Sequence, residues 1–173
     1  MHCKFPDQNE LYASAAAGHA PAIARLARST EADAEHARDL EQEIHVALWR
    51  SFARFDGRCE ISTWVYRVAH NVAATHVARS RRQQKLVDLE SAEEIWAADD
   101  PEENVAKSRL IERLQQLIRR LKQPDRQIIL LYLEGLEASS IADVTGHSPG
   151  AISVKVHRIK TLLAKHFNSG EPS

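Results

Sequence analysis

Residues Leu136 to Phe167 read LEASSIADVTGHSPGAISVKVHRIKTLLAKHF, and their punctuation decides the local fold. A short helix carrying Ile141, Ala142 and Val144 stops at Thr145-Gly146, where glycine accepts the left-handed backbone of a helix terminus. A turn with His147 follows. Ser148 and Pro149 then supply the cap and first position of a longer helix. In that helix Ile152, Val156, Ile159 and Leu163 recur at helical spacing and form one inward stripe. Ser153, Lys155, His157, Arg158 and Lys160 lie off the stripe. Helix, glycine turn and capped basic helix predict a helix-turn-helix, whose second helix enters the major groove amino-end first. Ser148, Ala151 and Ser153 are short enough to let bases approach. Lys155, His157, Arg158 and Lys160 are candidates for phosphates and guanine edges. A helical hairpin with a solvated basic face shares this pattern. The coincidence of the cap with acid-free positive charge favours DNA reading, but the motif does not say which kind of DNA-binding protein carries it.

Upstream, Pro124 opens a helix from Asp125 to Glu134 that Gly135 closes. Before it, Val105, Leu110, Leu114, Leu117, Ile118 and Leu121 have helical period. Between Gln83 and Pro101 the apolar pattern weakens and acids accumulate, which predicts a linker. Its roughly 18 residues can span on the order of 50 Å when extended, so the flanking modules need not touch. Earlier still, Ala37 to Phe55 places Leu40, Ile44, Ala47, Leu48, Phe52 and Phe55 on one stripe, and Asp56-Gly57 ends it. A third helix is expected from Ser62 or Thr63, with Trp64, Val65, Val68 and Val72 buried. Residues 8 to 28 form a helical stretch with a break near Gly18 and Pro21. The expectation is an all-α protein of two small helical modules, 8–84 and 102–168, joined by an acidic linker over 85–101.

The formal net charge of −1 over 173 residues hides a strong division. From Ile61 to Val87 the charged residues are Arg67, Arg79, Arg81, Arg82 and Lys85, all cations. From Asp88 to Glu103 they are all acids, and from His147 to Asn168 all cations again. Two basic blocks held apart by an acidic one suit two surfaces for a polyanion. Apolar residues make up 43% of the chain, enough for a packed core. The two cysteines, Cys3 and Cys59, are too few for a disulfide framework and read as ordinary thiols of a reduced, cytoplasmic setting. No apolar run is long enough to insert in a membrane. His70 and His76, six apart, do not share a helix face as metal ligands would. No metal-ligand spacing, phosphate-cradling loop or nucleophile signature argues for an enzyme, and no cofactor is expected.

The N-terminal wording is more specific than the helix-turn-helix. Asp39-Leu40-Glu41-Gln42-Glu43, Trp49-Arg50, Phe55-Asp56-Gly57 and Thr63-Trp64-Val65-Tyr66-Arg67-Val68-Ala69-His70-Asn71 resemble region 2 of bacterial sigma factors. Leu121 to Pro124, Ile128 to Gly135, Ile141-Ala142 and Gly150 to Lys160 resemble region 4. Order and spacing are similar to the small extracytoplasmic-function group (group IV) of the sigma-70 family over roughly residues 8 to 168.

The resemblance implies a promoter-recognition subunit of RNA polymerase. The helix from Asp39 to Trp49 would dock on the β′ clamp helices through Asp39, Gln42 and Glu43, with Trp49 open between docking surface and core. Asn71 and its surroundings would hold the non-template strand of the −10 element, and the second module would read the −35 duplex beside the β subunit. Bases that have left the duplex need donors, acceptors and cations around them. Arg67, His70, His76, Arg79, Arg81 and Arg82 are the candidates beside Asn71. Many members also have an anti-sigma partner. Departures from the family wording are Glu137 at a usual serine cap, Ser139-Ser140 for an acidic pair, Lys155 where arginine is usual, and His45 for an apolar aromatic. Two other readings stay open here: a stand-alone dimeric helix-turn-helix regulator, and a sigma mimic that sequesters an anti-sigma factor.

Overall fold

The computed structural model describes residues 7–87 and 103–168, with side chains over 7–80 and 109–167. Seven helices account for nearly all of them: α1 Gln8–Thr30, α2 Ala34–Phe52, α3 Ile61–Val87, α4 Glu103–Arg120, α5 Gln123–Leu133, α6 Ala138–Thr145 and α7 Pro149–Asn168. No strand occurs among the described residues.

The first helix starts at a capping box. The Asp7 carboxylate accepts from the amides of Asn9 and Glu10, both at 2.8 Å, and the Asp7 amide donates back to Glu10 Oε2 at 3.2 Å. The break expected near Pro21 is absent, for α1 runs unbroken from Gln8 to Thr30. Proline removes one backbone hydrogen bond, but Leu11 and Ala15 before it and Ala22, Ile23 and Leu26 after it are buried on one side, which holds both halves in line. Asp33 caps α2, whose stripe Leu40, Ile44, Leu48 and Phe52 is buried as its period requires.

Helix α3 corrects three expectations. It begins at Ile61, one residue before the expected Ser62 or Thr63 cap, and its first turn closes from the Trp64 amide to the Glu60 carbonyl. Its buried centre is Val65, Ala69 and Ala73, with Trp64, Val68 and Val72 at the margin. Small alanines at the centre allow close helix approach, and the bulkier valines fill the sides. The helix also continues through Val87, past the start expected for the linker, across the helix-forming run Arg81-Arg82-Gln83-Gln84-Lys85. Most of the expected acidic linker lies outside the described residues.

In the second half, Ile118, Ile128, Ile129, Leu131, Ile141, Ile152 and Ile159 are almost fully buried. Leu110, expected on the inward stripe of α4, is instead 51% exposed. The buried Arg126 donates to the carbonyls of Arg119 and Leu121 and thereby satisfies the carboxyl end of α4. Gly135 and Gly146, at φ 83° and 75°, turn the chain after α5 and α6 in the left-handed conformation.

The two halves are in contact. Helix α1 packs on α4, and α3 packs on α5 and α6. Arg25 of α1 makes a bidentate pair with Glu134 after α5, at 2.7 and 2.5 Å. Arg119 donates to the Arg28 carbonyl at 3.1 Å, and Arg67 donates to the Asp143 carbonyl at 2.6 Å. A cavity of about 160 Å³ lies in this seam, lined by residues of α1, α3, α4 and α5 including Ile23, Leu26, His70, Leu114, Ile118 and Leu130.

Candidate nucleic-acid interface

Helix α7 carries the first surface. Its amino end is capped as the sequence requires: Ser148 Oγ accepts from the Ala151 amide at 3.3 Å, and its carbonyl from the Ile152 amide at 3.0 Å. Ile152, Val156, Ile159 and Leu163 face the core. Ser148, Ala151, Ser153, His157, Arg158 and Lys160 are exposed. Val154 is 70% exposed, an apolar side chain at the centre of the outward face. Sequence reasoning missed Val154, although its place between Ala151 and Arg158 gives it that face by period alone.

The cations of α7 are held from behind. Lys155 Nζ donates to Asp125 Oδ1 at 3.3 Å and Arg158 Nη2 to Asp125 Oδ2 at 2.9 Å. Lys160 lies over the Tyr132 ring at 5.2 Å and reaches its hydroxyl at 3.4 Å. The Ser153 hydroxyl donates back to the Pro149 carbonyl. Glu137 stands at the amino end of α6 without a side-chain cap bond, in keeping with its departure from serine.

On α3 the second surface is less uniform than the sequence suggested. Asn71 is exposed and shares a shallow depression of about 310 Å³ with Val68, Val72, Thr75 and Arg79. Arg79 lines the depression and also pairs with Glu43 Oε1, 3.3 Å away. His76 is mostly covered, with Nε2 at 2.8 Å from Glu31 Oε1 and Nδ1 at 3.7 Å from Glu43 Oε2. The Arg67 guanidinium is taken up by the Asp143 carbonyl. Arg81 and Arg82 belong to α3, but their side chains lie outside the described residues.

His70 is a correction. It is 3% exposed and faces the seam cavity, so it has no access to a strand bound beside Asn71. Burial holds its imidazole neutral, with a pKa pushed down to about 4.

The outward side of α2 carries the residues expected to meet polymerase. Asp39 and Gln42 are exposed and Glu43 is half-buried. Trp49 is 43% exposed, which settles its position at the surface. Its ring is fixed by a bond from Nε1 to Asn9 Oδ1 at 3.0 Å. Val46, 48% exposed, continues the face. Arg50, Arg54 and Trp64 line a shallow groove with Asp39, Gln42 and Glu43. Val46 and Arg50 follow Gln42 at helical steps of four and eight, so periodicity offered that signal too. Trp64 serves both sides: it packs edgewise on Phe55 and donates to Ser51 Oγ at 2.9 Å.

Cys59 is a free thiol beside this region, and Cys3 lies outside the described residues. No group of three or more His, Cys, Asp or Glu able to hold a metal occurs among the described residues, and no described helix is long and apolar enough to cross a membrane.

Comparison with known proteins identifies the family. The family model for Sigma-70 region 2 matches residues 16–83, and that for Sigma-70, region 4 matches residues 111–163. The RNA polymerase sigma-H factor of Pseudomonas aeruginosa is 30% identical over 142 residues, covering 77% of this chain and 74% of the relative. The ECF RNA polymerase sigma factor SigW of Bacillus subtilis is 28% identical over 143 residues, covering 76% and 75%. Among solved structures, CnrH in complex with the cytosolic domain of CnrY superposes with a TM-score of 0.67 at 19% identity, over 95% of this chain and 92% of that one. The sigma factor RpoE in complex with the anti-sigma factor NepR, from Bartonella quintana, gives 0.65 at 19%, over 88% and 92%. With both family regions in order on one chain and a relative of 30% identity spanning three quarters of its length, this protein belongs to the extracytoplasmic-function group of the sigma-70 family and acts as an RNA polymerase sigma factor in transcription initiation.

Proposed function

We propose that the chain recruits core RNA polymerase to promoters by a division of labour between its two halves. The outward face of α2, with Asp39, Gln42, Glu43, Val46 and Trp49, docks on the β′ clamp helices. Asn71, with Arg79, Arg81 and Arg82 along the same helix, holds the displaced strand of the −10 element. Helix α7 reads the −35 duplex while its module rests on the β subunit. The protein works in the cytoplasm, as a binding factor with no chemical step of its own, under the control of an anti-sigma factor. The observation that carries this reading is α7 itself. Its amino end is capped and sterically open at Gly150 and Ala151, its apolar side is buried, and its cations flank the outward face.

Elements centred near −10 and −35 lie about 25 base pairs apart, on the order of 85 Å at the 3.4 Å rise of duplex DNA. A chain with its halves in contact as here cannot span that distance, so binding both elements requires the seam to open. The test is transcription in vitro with purified core polymerase on a fragmented bacterial genome. Discrete starts that depend on this chain are expected, and they should weaken when Asn71 or Arg158 becomes alanine. Association with core polymerase but no chain-dependent start on any fragment would leave a sequestering mimic as the reading.

A further inference from the structure

Asp125 stands in the first turn of α5, where the free amide groups of the helix favour a carboxylate. Its side chain is 20% exposed, and each of its oxygens accepts from a different cation of α7: Oδ1 from Lys155 and Oδ2 from Arg158. The two cations are not equivalent. Lys155 is 29% exposed and Arg158 67%. One carboxylate therefore draws Lys155 back into the surface while it grips only the near side of the Arg158 guanidinium.

We propose that Asp125 is a positioning residue for duplex reading, which exchanges general DNA affinity for sequence selectivity by restraining Lys155 and fixing the plane of Arg158. The proposal rests on the assignment of α7 to the −35 duplex. Arginine presents five N–H donors in a rigid fork, so a guanidinium held through one nitrogen keeps others for a base edge or phosphate. A bidentate contact to guanine requires that fork in a set plane. Attraction to phosphates requires no orientation and carries no sequence information. Without Asp125, two long flexible cations are released to the second kind of contact, and the geometry needed for the first is lost.

The experiment uses the holoenzyme reconstituted with wild-type chain, Asp125→Asn or Asp125→Glu, selecting from fully randomised duplex DNA. Binding of each free chain to a random-sequence duplex is measured across a salt series alongside. Asparagine keeps the shape and removes the charge; circular dichroism confirms that each variant is folded. With Asp125→Asn, the preference for the best base at one or two −35 positions is expected to fall about tenfold. Affinity for the random duplex is expected to rise several-fold at low salt, and the log–log salt slope to steepen by about 0.9 for each added phosphate contact. Asp125→Glu, which keeps the charge, is expected to restore most of the preference. An unchanged motif in Asp125→Asn overturns the proposal. So does uniformly weaker binding with an unchanged salt slope, the mark of a residue that only supports the fold. If the wild-type holoenzyme itself enriches no motif, the assignment of α7 fails first, and the role of Asp125 fails with it.

Discussion

Acid should open the seam between the two halves, and His70 sets the amount. Its imidazole is buried against the cavity shared by α1, α3, α4 and α5. The polar groups lining that cavity are Ser29 and Arg25 of α1, Tyr66 of its own helix, Gln115 of α4 and Glu134 after α5. Arg25 and Glu134 are spent on each other, which leaves no carboxylate to stabilise an imidazolium. The closed form thus holds His70 neutral, with its pKa lowered from 6.5 to about 4 by burial. Once the halves part, the ring meets water and returns towards 6.5. The open form then binds more protons than the closed one, so closure is fully favoured above pH 6.5, weakens as pH falls through that value, and stops weakening below about 4. The whole shift corresponds to roughly 3 kcal/mol at the limit. At pH 5.5 the opening constant should exceed its alkaline plateau about tenfold.

The measurement is energy transfer between dyes on α2 and α7, with Cys3 and Cys59 replaced by serine, between pH 7.5 and 5.5. That window stays above the ordinary carboxylate range, so the carboxylates at the seam keep their charge. A His70→Gln control separates His70 from His19, which packs edgewise on the cavity-lining Tyr66, and from His76, which pairs with Glu31. The wild type should lose transfer on acidification, reversibly and without loss of helix content. His70→Gln, which cannot take up a proton, should respond far less. An equal response in both proteins would refute the reasoning, and so would a wild type whose transfer does not change.

Glu43 ties the face of α2 proposed to meet polymerase to Arg79 of α3. Glu43→Gln should therefore tighten binding of a single-stranded oligonucleotide several-fold at low salt, while weakening association with core polymerase in a pull-down; no change in oligonucleotide binding would count against the link. Ile152 is fully buried where α7 meets α6 and α5. Ile152→Ala should cost about 2–5 kcal/mol, read by thermal unfolding of the helical signal; a loss below 1 kcal/mol would mean that α7 is not anchored through this stripe.

Legibility followed range. Features set by neighbours along the chain were plain in the sequence: the Ser148 cap, the left-handed Gly146, the buried stripes of α2 and α7. What the sequence misplaced depends on partners far away. Period placed α3 on the core but not the centre of its stripe, because Ala69 and Ala73 carry too little apolar surface to stand out against Val68 and Val72. His70, beside an asparagine expected to bind the strand, read as a surface cation because the wall that covers it comes from α1, α4 and α5. The Arg25–Glu134 pair joins residues 109 apart, and Asp125 meets cations 30 and 33 residues on. No local pattern announces such pairs. Pro21 failed as a helix breaker for the same reason, since packing on both sides outweighs one missing hydrogen bond.

These long-range pairs share a direction. Arg67 is held by the Asp143 carbonyl, Arg79 by Glu43, Lys155 and Arg158 by Asp125, and Lys160 by the Tyr132 ring. Among the described residues, each of these cations expected to meet DNA has an internal partner in the closed chain. Such pairs are worth little to stability, because exposed ion pairs contribute about 0–1 kcal/mol each. Their effect on DNA binding is larger. Non-specific affinity scales with the number of phosphates neutralised, and each cation withheld lowers the slope of that dependence by about 0.9. A sigma factor that bound duplex DNA while free would be diluted over the genome before it met polymerase. Docking on α2 as proposed would engage Glu43 and so compete for the partner of Arg79, and opening the seam would remove the partner of Arg67. On this argument, loading on polymerase releases the cations of the first module, while Asp125 travels with α7 and goes on restraining its cations at the promoter.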